Sequence, residues 1–292
     1  MRYAFIAQHS REHPVRRMCA VLDVSPSGYY AWQKRPDSLR WRANQGLVEQ
    51  IRRAHAESRG TYGSPRVHQW LRYRGVACGR HRVARLMRLN GIVAGRRSRR
   101  RPVTTQRRAG APIRPNLLRQ EFRAGRPNQK WLADITYIDT REGWLYLAVL
   151  VDLCSRRVVG WSMGEELKAG LVEDALAMAV GRREVGVGLL HHSDQGSQYT
   201  SDAYQERLAE LKAQVSMSGV GNCYDNAVME SFFSTLKGEC ATYRFAGREE
   251  ARQQIFEFIE VWYNRQRMHS SLGYLSPAEY ESRLNSNTIC VH

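Results

Sequence analysis

Three acidic residues, far apart along the chain, carry the chemistry this sequence can do: Asp134 in KWLADITYI, Asp194 in HHSDQGSQYTS and Glu230 in NCYDNAVMESFFSTLKGE. The first lies in an alternating, strand-like run, the second just past an apolar run, and the third inside a helical pattern. A mixed sheet with a flanking helix can bring such positions to one point. Clustered carboxylates repel one another, so they stay ionised together only around a hard cation such as Mg²⁺. Two such ions, about 3.5–4 Å apart, would activate water or a 3′-hydroxyl on one side and stabilise the leaving oxygen on the other. Asp134, Asp194 and Glu230 are therefore the candidate catalytic and metal-ligating residues, and the chemistry they suit is phosphodiester cleavage or transfer on nucleic acid. Asn226 and Lys237 share the Glu230 stripe at helical spacing, and Lys237, two turns on, is placed to meet a phosphate. No GxxxxGK[ST] loop and no Ser/His/Asp arrangement occurs, so neither a nucleotide cofactor nor a covalent nucleophile is expected.

The elements that must position these acids follow from periodicity. KWLADITYID, WLYLAVLVDL and RRVVGWSM read as three strands of a meander turned at Gly143 and near Ser155-Arg156. Leu167–Arg182 reads as a helix, GLLHHS as a fourth strand, Ser201–Lys212 as a helix capped by Ser201, and AQVSMS as a fifth strand. A Gly/Asn loop then leads into the Glu230 helix. Three strands, helix, strand, helix, strand, helix is the order of a ribonuclease H-like α/β fold: a mixed five-stranded sheet with flanking helices. Residues 248–283 read mainly as one amphipathic helix carrying Ile255, Phe258, Ile259 and Trp262, with a short one after Ser276-Pro277. Among the other acids, Asp225 is expected to cap a helix, and Asp139, Asp152 and Asp202 to form turns. His191 and His192 are expected to pack or bond locally.

Composition agrees with a polyanionic partner. The formal net charge is +17, and it is unevenly spread. Residues 1–128 carry 29 Lys+Arg against 6 Asp+Glu, whereas residues 129–292 carry 16 against 22. A cationic front half precedes a mildly acidic, metal-holding rear half. Only five of the 45 basic residues are lysines, which suits bidentate phosphate contacts or, equally, reflects arginine-rich codon usage. Residues 14–35 read as helix, turn, helix, and helices follow over 45–58, 65–74 and 80–90. In the last of these Val83, Leu86, Met87 and the Leu89 region face inward, leaving Arg80, His81, Arg82, Arg85 and Arg88 outward as a recognition-helix face or a solvated one. Residues 96–108 hold seven arginines in thirteen positions, among them Arg96, Arg97, Arg99, Arg100 and Arg101, and are expected to track DNA phosphates. Six cysteines without a CxxC pair argue against a zinc or disulfide framework. No apolar stretch is long enough to span a membrane, and the N-terminus lacks a secretory h-region, so a soluble, cytoplasmic, nucleoid-associated bacterial protein is expected.

Four segments, W-x-x-D-I-T-Y-I, H-S-D-Q-G-S-Q-Y-T-S, G-N-C-Y-D-N-A-x-x-E-S-F-F-S-T-L-K-x-E and Y-N-x-x-R-x-H-S-S-L-G-Y-x-S-P-A-E-Y, resemble the orfB transposases of the insertion-sequence family numbered three, relatives of retroviral integrases. The resemblance runs from about residue 45 through Tyr280. It implies a DDE site at Asp134, Asp194 and Glu230, with Lys237 matching the basic residue two turns later. It further implies dependence on Mg²⁺ or Mn²⁺, donor-strand cleavage, strand transfer by transesterification, and binding of terminal inverted repeats. The implied partners are double-stranded DNA at transposon ends and target, further copies of the chain in a homo-oligomer, and an upstream orfA product or a fusion with it. The implied organisation is a helix-turn-helix-like segment at 1–40, a helical DNA-binding domain at 45–95, a basic linker at 96–126, an integrase-like catalytic core at 127–245 and a helical extension at 246–292.

Overall fold

A computed structural model describes residues 1–35, 37–95, 114–219 and 223–289. The arginine-rich run with Arg96, Arg97, Arg99, Arg100 and Arg101 lies outside the described residues. The chain begins with α1 (Arg2–Gln8), α2 (Val15–Val21) and α3 (Pro26–Lys34), which close a small core of Ile6, Met18, Cys19 and Tyr29. Ser25 caps α3 as expected, accepting from the Gly28 N–H at 2.9 Å. Helix α1 left no sequence signal because only Ile6 of its residues is buried.

A second helical group follows: α4 (Leu39–Glu57), α5 (Ser64–Tyr73) and α6 (Arg80–Leu89). Helix α4 starts six residues before the expected 45, capped by Ser38, whose hydroxyl accepts from Trp41 N at 3.1 Å. Its early apolar residues, Leu39 and Trp41, are exposed, so amphipathic spacing begins only at Leu47. On α6, Val83, Leu86 and Met87 are buried as expected, but Leu89 is 65% exposed because the helix ends there without a neighbour over it. Arg80, Arg85 and Arg88 are exposed. Arg82 is not free on that face: it is half-buried and donates to Asn44 Oδ1 of α4 at 3.0 Å, tying the two helices together.

The sheet comprises β1 (Lys130–Thr140), β2 (Gly143–Asp152), β3 (Val158–Gly164), β4 (Leu190–Ser193) and β5 (Gln214–Met217) in the order β3-β2-β1-β4-β5. The first three are an antiparallel meander, and β4 and β5 run parallel to β1. Helix α7 (Ala169–Arg182) and α8 (Asp202–Glu210) cover one face over Trp131, Ala133, Ala148 and Leu150. Helix α9 (Ala227–Glu239), preceded by a 3₁₀ turn at Cys223–Asn226, and α10 (Arg248–Phe256) cover the other over Leu132, Leu147, Val149 and Val151. Alternation along β1 and β2 therefore feeds two cores, as a sheet buried on both faces requires. Gly160 lets α7 sit against β3: a Cβ there would lie 2.2 Å from the Ala175 carbonyl oxygen.

The expected single C-terminal helix is α10 continued as a π-helical stretch, Glu257–Tyr263, before α11 (Pro277–Ile289). Phe258, Ile259 and Trp262 of that stretch join the cluster that also holds Leu47, Ile51, Trp70 and Leu86, so the helical group shares a core with the α9–α10 face of the sheet. A polar contact reinforces the junction, Met268 N donating to Tyr62 Oη at 2.8 Å, and behind it Arg267, 2% exposed, pairs with Glu239 of α9 at 2.7 Å. Asp152 makes the expected turn, its carboxylate accepting from Cys154 N and Ser155 N at 2.9 Å. Asp225 is not a helix cap. It is buried and accepts from Gln120 Nε2 and Gly219 N, at 3.3 and 3.1 Å. Among the described residues no helix is long and apolar enough to cross a membrane.

Candidate active site

Strand register explains how two acids sixty positions apart meet. β1 and β4 pair in parallel as Lys130↔Leu190, Trp131↔His191 and Leu132↔His192. Continuing that register puts Asp134 level with Asp194, two residues past the last pair. There β4 has ended and β1 runs on, so β1 loses its neighbour and a crevice opens at the carboxyl end of β4, where α/β sheets collect ligands. A pocket of about 440 Å³ fills this crevice, lined by Asp134 and Asp194 together with Ile135, Tyr137, Tyr146, Leu167, Gly196, Ser197, Gln198 and Tyr199.

Both carboxylates are held in place. Asp134 Oδ1 accepts from Ile135 N at 2.8 Å, and its Oδ2 accepts from Asn226 Nδ2 at 2.7 Å. Asp194 Oδ1 accepts from Gly196 N at 2.9 Å, closing an Asx turn. A Cβ at 196 would stand 2.9 Å from the same carboxylate oxygen, so a larger residue there would push the Asp194 side chain from its place. Gln195 Nε2 anchors the loop to Ser218 O past β5 at 2.9 Å, and Gln198 Nε2 reaches Leu167 O before α7 at 3.2 Å. Burial, then the negative charge of Asp194, raise the Asp134 carboxyl to about 8, against the pull of its two hydrogen bonds. Without a cation, burial and the Asp194 charge favour the protonated form of Asp134.

Glu230 stands in the first turn of α9, one turn beyond Asn226, and is exposed. Its charge reaches Asp134 and adds to the rise in that residue's pKa. Among the described residues, no three His, Cys, Asp or Glu side chains form a group able to hold a metal ion. The fold thus brings Asp134 and Asp194 together and leaves Glu230 near them, turned to solvent. Asn226, expected at the DNA, donates its amide N–H to Asp134. Lys237 is half-buried on α9, and burial lowers its pKa against the opposing charge of Asp134. Arg80, Arg85 and Arg88 of α6 do not line the pocket.

Several groups at the site were not expected from the sequence. Tyr199 is buried, with its hydroxyl unpartnered, and burial followed by the charges of Asp134 and Asp194 drives its pKa well up. Asn226 Oδ1 and Gln195 Oε1 are also buried without a partner. Tyr199 and Gln195 stand inside the same HSDQGSQYTS segment as Asp194, which was the available signal. His191 and His192 bond locally as expected, to Tyr204 Oη at 2.9 Å and Ser216 Oγ at 2.8 Å.

Comparison with known proteins returns the same architecture. Family models described as "Integrase core domain" match residues 124–223 and 211–277, and one described as "HTH-like domain" matches residues 42–101. The chain is 43% identical over 286 residues to transposase InsF for insertion sequence IS3A of Escherichia coli strain K12, covering 97% of this chain and 99% of that one. It is 44% identical over 267 residues to an uncharacterized 31 kDa protein of insertion element IS600 from Shigella sonnei, covering 91% and 98%. Among solved structures, the catalytic core domain of BIV integrase is 19% identical, with a TM-score of 0.42, covering 56% of this chain and 99% of that one.

Proposed function

The chain belongs to the IS3 family of insertion-sequence transposases, DDE-type polynucleotidyl transferases, and on that premise we propose that its Asp134–Asp194 pocket cleaves DNA at the element's terminal inverted repeats and joins the freed strand to target DNA with a divalent cation. The observation that carries this is the level pair of carboxylates at the end of β4, one of them pushed to a pKa of about 8 by burial and its partner.

The donor set fits a hard cation. Two carboxylates offer oxygen ligands at one pocket, and the proton that Asp134 holds is what a cation would displace. Asn226 Oδ1, on the side chain that bonds Asp134, and the Tyr199 hydroxyl, in the pocket lining, are buried polar atoms that lack partners. Such atoms fit a site completed by ions and their water. Asp134 and Asp194, joined by Glu230 from α9, are the residues that would hold Mg²⁺, or Mn²⁺ in its place, as two ions. When bound, the ions supply Lewis acidity toward the phosphate and lower the pKa of an attacking water or 3′-hydroxyl.

The protein's own part is positioning. Asn226 and Ile135 N fix the Asp134 carboxylate from opposite oxygens, so its lone pairs point one way. The Gly196 turn does the same for Asp194. Lys237, close enough to Asp134 to feel its charge, is placed to neutralise a non-bridging phosphate oxygen as negative charge builds. Arg80, Arg85 and Arg88 on the exposed face of α6, with Arg96, Arg97, Arg99, Arg100 and Arg101 after it, grip the duplex through phosphates. The five-part division at 40, 45–95, 96–126, 127–245 and 246–292 goes with this reading. So do a homo-oligomeric assembly on two DNA ends and cooperation with an upstream orfA product or fusion.

The test is to incubate the full chain with Mg²⁺ and a duplex carrying the element's ends beside a target plasmid. Joined products support the proposal. Nicks without joining reduce the enzyme to a nuclease, and intact DNA under conditions of proven binding refutes it.

A further inference from the structure

Asp225 is a buried acid that the phosphodiester chemistry does not use. It is 2% exposed and stands directly before Asn226, whose amide holds Asp134, and five residues before Glu230. Its Oδ1 accepts from Gln120 Nε2 at 3.3 Å and its Oδ2 from Gly219 N at 3.1 Å. A carboxylate taken out of water costs free energy unless its oxygens are satisfied, so these bonds fix where the Cys223–Asn226 turn, and α9 after it, can begin. Closing the loop before α9 would by itself account for the Gly219 bond. It does not account for the bond to Gln120, which comes from the far side of the sheet edge, nor for the state of His192.

Gln120 belongs to a strap, residues 115–121, laid along the outer edge of β5. Met217 N donates to Pro115 O at 3.4 Å, and Leu117 N and Leu118 N donate to Ser216 Oγ at 2.9 and 3.3 Å. Arg119 and Gln120 then take positive φ, 48° and 60°, a conformation unfavourable for residues other than glycine. Such strain persists only where its surroundings over-determine it. Gln120 is exposed, so burying it is not what the bend achieves; what the bend delivers is its amide to Asp225. The same Ser216 hydroxyl settles a tautomer. With two N–H groups on its lone pairs, it has only its proton left for His192 Nδ1 at 2.8 Å, so His192 carries its own proton on Nε2. That N–H is buried, has no hydrogen-bond partner among the described residues, and belongs to a ring on which Asp225 is the acting charge. His192 pairs with Leu132 of β1 and stands two residues before Asp194. Asp225 is thus linked to the strap, to the loop after β5 and to the ring that precedes Asp194, while its neighbour Asn226 is linked to β1.

We propose that Asp225 is a positioning residue: clamped by Gln120 of the strap and by Gly219, it sets the register of α9 against β1 and β4, so that Asn226 reaches Asp134 and Glu230 is held beside the two aspartates. This rests on the reading of the acid pocket as the phosphodiester site. The three acids come from three separate elements, and the clamp is what ties the start of the third to the first two.

The experiment uses the full chain and two readouts: Mn²⁺ bound without DNA, by electron paramagnetic resonance, and kcat and KM for Mg²⁺-dependent cleavage of a duplex bearing the element's ends. Asp225→Ala is expected to weaken Mn²⁺ binding and lower kcat by about 10- to 100-fold each, with KM for DNA within about twofold of the parent. Gln120→Asn tolerates positive φ but is one methylene short of Asp225, and as a surface change it leaves the core intact. It is expected to move both readouts the same way by about 3- to 10-fold, the worth of one hydrogen bond. Asp225→Ala combined with Asn226→Ala should lose less than the product of the two single losses, because one residue acts partly through the other. Unchanged Mn²⁺ affinity and kcat in a folded Asp225→Ala, or in Gln120→Asn, overturn the proposal, as do single losses that simply multiply. If Asp225→Ala does not fold by urea unfolding, Gln120→Asn alone decides. Asp134→Ala in the same assays separates this inference from the reading beneath it. If that variant binds Mn²⁺ and cleaves like the parent, the acid pocket is not the site of chemistry, whereas a dead Asp134→Ala beside an unaffected Asp225→Ala refutes the clamp alone.

Discussion

Asn226→Ala isolates the hydrogen bond that the Glu230 helix makes to Asp134. The amide donates to Asp134 Oδ2 at 2.7 Å, a hydrogen bond to an ionised group once a cation is present. Bonds of that kind contribute about 1.5–3 kcal/mol, and losing the residue that orients a metal ligand typically costs 10–100-fold in metal affinity or activity. Helix capping does not confuse the result. Asn226 occupies the N-cap position of α9, yet its side chain makes no capping bond, so the usual ~1 kcal/mol capping loss does not apply. Ile135 N still holds Oδ1, so the carboxylate is loosened rather than released. The expected outcome is a 10- to 100-fold rise in the Mg²⁺ concentration for half-maximal cleavage, with binding to duplex DNA and the urea midpoint nearly unchanged. Because half-saturation and DNA binding are read separately, an effect confined to DNA affinity would return Asn226 to a phosphate-contacting role. An unchanged Mg²⁺ dependence would show that the amide does not position Asp134 at all.

Gly160→Ala should destabilise the chain by at least about 1–3 kcal/mol, since the new methyl meets backbone atoms of α7 that cannot rotate away; equilibrium urea unfolding reads this, and an unchanged midpoint would mean that α7 is not seated on β3. Glu239→Gln leaves the Arg267 guanidinium buried without its counter-charge and should cost about 3–5 kcal/mol; a loss under about 1 kcal/mol would contradict a desolvated pair. Acid should weaken the fold well above the carboxylate range. Burial, and for His191 its neighbour His192, hold these residues down to about 3 and about 4, while Asp225 opposes the shift at His192. Unfolded histidine titrates near 6.5, so below that pH the unfolded state takes up protons that the native state refuses. The contribution is complete above about 6.5 and lost progressively towards about 4, by on the order of 1–2 kcal/mol per histidine at pH 5. Urea midpoints that stay flat from pH 7.5 to 5 would place these imidazoles in contact with solvent.

Alternation and helical spacing were enough to find all five strands and the helices around them, because apolar burial on a two-faced sheet writes itself into the sequence at periods of two and 3.6. Helix α1 and the start of α4 were illegible for the converse reason: Ile6 alone of α1 is buried, and Leu39 and Trp41 are exposed. Within the site, Asp134 and Asp194 could be named from the type of element each occupies, but their shared level depends on the parallel register of β1 and β4, which nothing local to either strand states. Tyr137 and Tyr146 were nearer to hand. Once Gly143 is read as the end of a tight turn, their pairing follows by counting back along the hairpin. Asn226 could be placed on its helix stripe from the sequence, but its bond to Asp134 could not, since a helical wheel shows which residues lie together and not what they face.

Whether Asp134, Asp194 and Glu230 share a divalent ion is read from the position of Mn²⁺ by anomalous diffraction in crystals of the DNA-bound chain. Manganese is expected between the Asp134 and Asp194 carboxylates, with Glu230 turned in from α9 to complete the set. Manganese bound elsewhere, or a DNA-bound pocket in which Asp134 keeps its proton and no metal lies between the two aspartates, would contradict it.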